Sequence, residues 1–86
     1  MAPAPAESAP RPCDKRERVL DLLAERYQEA PVAVGVTTGG GLVEVLTEPD
    51  GQTWTIIVTS PQGVSCLVLS GEGWRPLQQV AQDPEA

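Results

Sequence analysis

Hydrophobic and polar positions follow two different rhythms along the chain. Between Asp14 and Glu29, the residues Val19, Leu20, Leu23, Ala24 and Tyr27 recur at spacings of three and four, which predicts one apolar face of a helix with Leu22 on its margin. Lys15, Arg18, Asp21, Glu25, Gln28 and Glu29 fall on the other side. There Asp14 with Arg18 and Arg26 with Glu29 are spaced as helix-surface pairs. Asp14 is the expected N-cap, and Glu17 three residues later makes a variant of the capping box. Pro31 is expected to end the helix, because its ring and missing N–H cannot continue the ladder.

From Val32 the rhythm becomes a strict alternation, the period of a strand. Four runs carry it: Val32–Thr38, Leu42–Glu48, Thr53–Thr59 and Val64–Ser70. The breaks between them are Gly39-Gly40-Gly41, Pro49-Asp50-Gly51 and Ser60-Pro61-Gln62-Gly63, with Gly71-Glu72-Gly73 after the last. Pro at the first corner and Gly where a positive φ is needed are turn chemistry. Connections this short favour antiparallel hairpins. The expected fold is therefore α+β, one N-terminal helix packed on a four-stranded antiparallel β-meander.

Both faces of that sheet are apolar. Val32, Val34, Val36, Val43, Val45, Trp54, Ile56, Val58, Val64, Cys66 and Val68 can share one face, about what a single helix covers. Leu42, Leu46, Ile57, Leu67 and Leu69 occupy the opposite parity. A monomer rarely leaves several hundred Å² of apolar surface bare. The second face is thus expected to be covered by the C-terminal segment Trp74–Val80 or by another chain, and these five residues with Trp74 are the candidate interface. Trp54 reads as core. Trp74, flanked by Gly73 and Arg75 outside any strand, is the more open case as an interface anchor.

Composition sets the limits. With 86 residues the chain is one small domain. Residues 1–12 hold four Pro and four Ala without periodicity and read as a flexible tether. Residues 13–80 form the expected domain, and 81–86 a frayed polar tail. No run approaches the roughly 20 apolar residues of a membrane span. The first residues lack the basic and apolar regions of a signal peptide but resemble the Ala/Pro-rich tether that its cleavage commonly leaves at a mature N-terminus. A periplasmic or secreted location is therefore expected, after removal of a signal peptide not present in this chain.

Six Lys plus Arg against twelve Asp plus Glu give a net charge of −6, which argues against nucleic acid and anionic membranes as partners. Residues 11–29 are balanced, whereas residues 30–86 hold six acidic side chains and only Arg75. The chain has no His, so the commonest general base and metal ligand are missing. Ser60 and Ser65 have no base partner. Gly39-Gly40-Gly41 is followed by no Gly-Lys-Ser/Thr, so it reads as a turn and not as a phosphate loop. Glu44, Glu48 and Asp50 read as a solvated acidic edge before they read as a weak cation site. The expectation is no enzyme, no metal and no cofactor.

Two cysteines remain, Cys13 at the helix start and Cys66 in the last strand. They are not spaced for metal. One reading is a disulfide that staples helix to sheet and closes a long loop. The other is a reactive Cys13, activated by the helix N-terminus with Arg11, Lys15 and Arg16 nearby, and Cys66 as its resolving partner. The combination of Cys13, Arg18–Tyr27, Thr53-Trp-Thr-Ile56, Ser65-Cys66-Leu67 and Gly71-x-Gly-Trp74 resembles small exported proteins of unknown function in Gram-negative proteobacteria. The resemblance spans about residues 13–74 and implies an exported location and the Cys13–Cys66 pairing; it brings no activity. The functional expectation is a non-enzymatic envelope protein acting as a protein-binding or accessory module, an inhibitor among the options, that binds another protein or self-associates through the second sheet face. The alternative is a thiol-redox protein using Cys13 and Cys66.

Overall fold

The computed structural model of the protein describes residues 12–77. Within them the chain runs β1 (Cys13–Lys15), α1 (Arg16–Tyr27), β2 (Ala30–Val36), β3 (Leu42–Thr47), β4 (Thr53–Thr59) and β5 (Val64–Glu72). All strands are antiparallel in one sheet, ordered β1-β5-β4-β3-β2. The fold is α+β as expected, but the sheet has five strands where four were expected. The added strand, Cys13-Asp14-Lys15, carries no apolar pattern; its pairing with β5 makes it a strand. The ends of the expected domain, 78–80, lie outside the described residues, as do all but Pro12 of the expected tether and the whole of the expected tail.

The extra strand moves the helix start from Asp14 to Arg16. Lys15 is the N-cap and makes no side-chain capping bond. The Arg16 N–H donates instead to Gly63 O at 3.1 Å, so a turn of the sheet satisfies one of the orphan donors of the helix. Asp14 Oδ1 accepts from the Lys15 N–H, and Asp14 stands 3.9 Å from Arg18. At the other end Gln28 takes the left-handed conformation (φ 56°), and the N–H groups of Gln28 and Glu29 donate to Ala24 O and Leu23 O. The helix therefore stops at Tyr27, before Pro31, which lies inside β2 next to a bulge between Pro31 and Ala33.

The three hairpins share one construction. Gly40, Gly51 and Gly63 donate their N–H to the carbonyls of Thr37, Glu48 and Ser60, and each glycine has positive φ. This is a type I turn closed by a left-handed residue, which explains Pro49 and Pro61 at the first corner. Glu48 adds a side-chain brace, its Oε1 accepting from the N–H groups of Asp50 and Gln52 at 2.9 Å.

The helix covers the face opposite to the one expected. Val19 and Leu23 of α1 pack with Leu46 and Ile57, the latter pair fully buried, and Leu20 and Leu67 close the cluster. Cross-strand register makes the rest of this inner face polar: Glu44 and Ile57 are paired, as are Leu46 and Thr55, and Thr59 and Ser65. Thr55, Thr59 and Ser65 are buried, and the Thr59 and Ser65 hydroxyls hydrogen bond at 2.6 Å. Val43, Val45, Ile56 and Val58 lie on the outer face, whereas Val34 and Val36, expected beside them, pair with Glu44 and Leu42 and so lie on the helix side, because the bulge between Pro31 and Ala33 shifts the parity of β2. Leu46 and Ile57 are consequently core residues and not interface residues.

Candidate functional site

Side chains of directly paired residues share a face. Ala33 pairs with Val45 and Val45 with Ile56; Gly35 pairs with Val43, Val43 with Val58 and Val58 with Cys66. The outer face thus runs unbroken from Ala33 to Cys66 and, among the described strands, carries no charged side chain from β2 through β5. A second bulge, between Ile56 and Ile57 in the register with β5, sets Ile56 opposite Leu69 and Ile57 opposite Leu67. That slip of one residue takes Leu69 out of the parity of Leu67 and onto the outer face, where it is 56% exposed. An open apolar depression of about 520 Å³ lies there, lined by Val58, Ser60, Val64, Cys66 and Val68.

One end of this face is closed. The indole of Trp54 lies over Gly71, where a Cβ would come within 2.6 Å of Cζ2, and its Nε1–H donates to Glu72 O at 3.3 Å. The Trp74 ring stands 6.0 Å from that of Trp54 at 52°. The segment after β5 is held there by two backbone bonds, Trp74 N–H to Gly51 O and Gly73 N–H to Gln52 O. Trp74, expected as an open anchor, is therefore half-buried against Trp54. Leu77 beyond it is exposed, and Val80, the last residue of the expected cover, lies outside the described residues.

The disulfide occupies the other end. Cys13 and Cys66 are directly opposite in the β1–β5 register and are bonded, S–S 2.05 Å. Leu67 N–H donates to Pro12 O, so the cysteines take the non-hydrogen-bonded position, where paired side chains come closest. Cys13 is exposed and Cys66 half-buried.

Comparison of the chain with protein families, with curated proteins and with solved structures found no match.

The polar inner face holds what charge chemistry the fold has. Glu44 is buried, and both its oxygens accept from Arg16, Nε at 3.0 Å and Nη2 at 2.7 Å. This bidentate bond, with the Coulomb attraction of Glu44 behind it, raises the Arg16 pKa above its ordinary value despite some desolvation. Glu48 is engaged by the N–H groups of its own turn while Glu44 is held by Arg16, and the acidic trio does not converge. Among the described residues no group of three or more side chains is placed to hold a metal. Leu42, half-buried, lines a shallow depression beside Arg16 and Glu44.

Sequence reasoning missed Glu29. Helical spacing puts it on the solvent side beside Arg26, yet it is 2% exposed. Its Oε2 accepts from the Thr53 hydroxyl at 2.7 Å, and Oε1 has no partner. Pro31 held the available signal: it disfavours helix at Ala30, so a helix ending by Gln28 leaves Glu29 in the connector, free to turn inward. The open edge of the sheet was missed as well. Every residue of β2 is exposed, including Val32, Val34 and Val36.

Proposed function

We propose that the protein is a non-enzymatic binding module of the cell envelope, periplasmic or secreted, that holds a protein partner against the outer face of its sheet. The observation that carries this reading is the uncharged face from Ala33 to Cys66, which among the described residues only the Trp54–Trp74 end covers. Uncovered apolar surface of this kind marks interaction sites. The Cys13–Cys66 disulfide supports an oxidising compartment, and no helix among the described residues is long and apolar enough to cross a membrane. The non-enzymatic part rests on the residues present: no His in the chain, and a Ser65 hydroxyl engaged by Thr59.

The test places a photocrosslinking residue at Val58 in the full chain and exposes it to envelope extract of the source cells. A discrete protein adduct is expected, lost on Ile56→Lys and absent when the crosslinker is at Glu25 on the exposed helix face. Equal labelling from Val58 and Glu25 would refute the docking face. The exposure of Cys13 favours a second reading, thiol–disulfide exchange. Intact mass after alkylation, with and without glutathione, separates the two: a bridge that glutathione opens in the native protein supports exchange, and one that opens only after denaturation excludes it.

A further inference from the structure

Strand β2 is one edge of the sheet, and its outward side has no strand beside it among the described residues. Thr37 N–H donates to Gly41 O, so Thr37 and Gly41 are a hydrogen-bonded pair. Pairing alternates along an antiparallel ladder. Gly35–Val43 and Ala33–Val45 are then the next hydrogen-bonded pairs, and Val36–Leu42 and Val34–Glu44 are not. The N–H and C=O groups of Val34 and Val36 therefore point away from β3, toward solvent along the open edge. Natural edges are commonly guarded by charge, by Pro or by a bulge. Here Pro31 and the bulge guard only the first residues of β2, and the strand has no charged side chain. Val34 and Val36 are 65% and 75% exposed on the helix side of the sheet.

We propose that two copies of the protein associate through β2, antiparallel about a two-fold axis at Val34. The sequence Val32-Ala33-Val34-Gly35-Val36 reads nearly the same from either end of that axis. A two-fold pairing sets Val34 opposite its counterpart, with Ala33 opposite Gly35 on either side and the bulge at Val32 marking the end of the paired stretch. Such an interface is isologous, each patch serving both subunits. The outward-facing amides of Val34 are in register to bond across the axis. Val34 meets its counterpart on the helix side, and Ala33 meets Gly35 on the outer side. Since β2 bears no charge, the net charge of −6 sets no like pair directly across the seam. The paired sheet would have ten strands with both helices on one face, and the outer faces proposed above as docking surfaces would stay open, so this association is independent of that reading.

Sedimentation equilibrium of the full chain over a wide concentration range, joined to amide hydrogen exchange, tests it. A reversible monomer–dimer equilibrium is expected. Val34→Lys, which sets two like charges on the axis, should weaken it roughly tenfold or more, while Val34→Thr keeps it. Val58→Lys on the outer face should leave it unchanged. In the unsubstituted protein the Val34 amide should exchange freely when dilute and slow as dimer forms, while Gly35, bonded to β3, is protected throughout. A monomer at every concentration, a dimer indifferent to Val34→Lys or broken by Val58→Lys, or a Val34 amide that stays unprotected in the dimer would each overturn the proposal.

Discussion

Opening the Cys13–Cys66 bridge is the perturbation with the largest expected effect on stability. The cysteines are 53 positions apart, so the bridge closes a loop of 54 residues counting both ends. In the chain-entropy treatment such a closure withholds about 4 kcal/mol of freedom from the denatured chain. A domain of this size has a net stability of roughly 3–10 kcal/mol. The core is correspondingly small, with Val19, Leu23, Leu46 and Ile57 its buried apolar residues. Reduction also loosens β1, which among the described strands pairs only with β5. Urea unfolding of the oxidised protein, of the same protein held reduced, and of Cys13→Ala/Cys66→Ala should show a loss of about 4 kcal/mol. The m-value should rise, because the open denatured chain exposes more surface. Thermal midpoints should fall by roughly 15–30 °C. A loss below about 1 kcal/mol in both reduced forms, with the native fold retained, would refute the loop-closure reasoning.

Ile57→Ala removes a fully buried side chain beneath α1 and should cost about 2–5 kcal/mol in urea unfolding, whereas Val36→Ala at the exposed edge should cost far less. The Arg16–Glu44 pair is asymmetric: Arg16→Ala leaves Glu44, 4% exposed at its side chain, unpaired and should destabilise by about 2–4 kcal/mol, most of it recovered in Arg16→Met/Glu44→Leu. Because the Arg16 pKa is raised, the pair's contribution is fully present below the arginine's unfolded pKa and lost only as pH rises through the higher folded value. Arg16→Ala should therefore cost the same at neutral and mildly alkaline pH, and a cost that fades over that range would contradict the assignment. Gly71→Ala drives a methyl into the Trp54 indole and should red-shift tryptophan emission and weaken the Trp54–Trp74 contact; unchanged emission would mean the rings are not packed there.

Much of this protein could be read from local pattern. Thr53–Thr59 is the strand at the expected bounds, because β-branched residues alternate between two strong turn signals. The hairpins followed from Gly and Pro at positions whose backbone angles other residues resist, and the cysteine pairing from two cysteines in a chain too small to be stabilised by its core alone. Cys13-Asp14-Lys15 was illegible, since a three-residue polar strand exists only through its partner, and treating it as helix placed the start of α1 two residues early. Glu29 was hidden for a similar reason: a left-handed Gln28 ends the helical rhythm that would set its direction.

The sequence by itself determined that large apolar side chains fall on both faces of the sheet, because side chains alternate along a strand. It did not determine which face receives the helix. Parity separates Val43, Val45, Ile56 and Val58 from Leu42, Leu46 and Ile57 without ranking them. The choice fell to tertiary geometry, in which the β1–β5 pairing and the Arg16–Glu44 bond fix where α1 leaves the sheet. The leucine face became the core and the valine face was left to the surface.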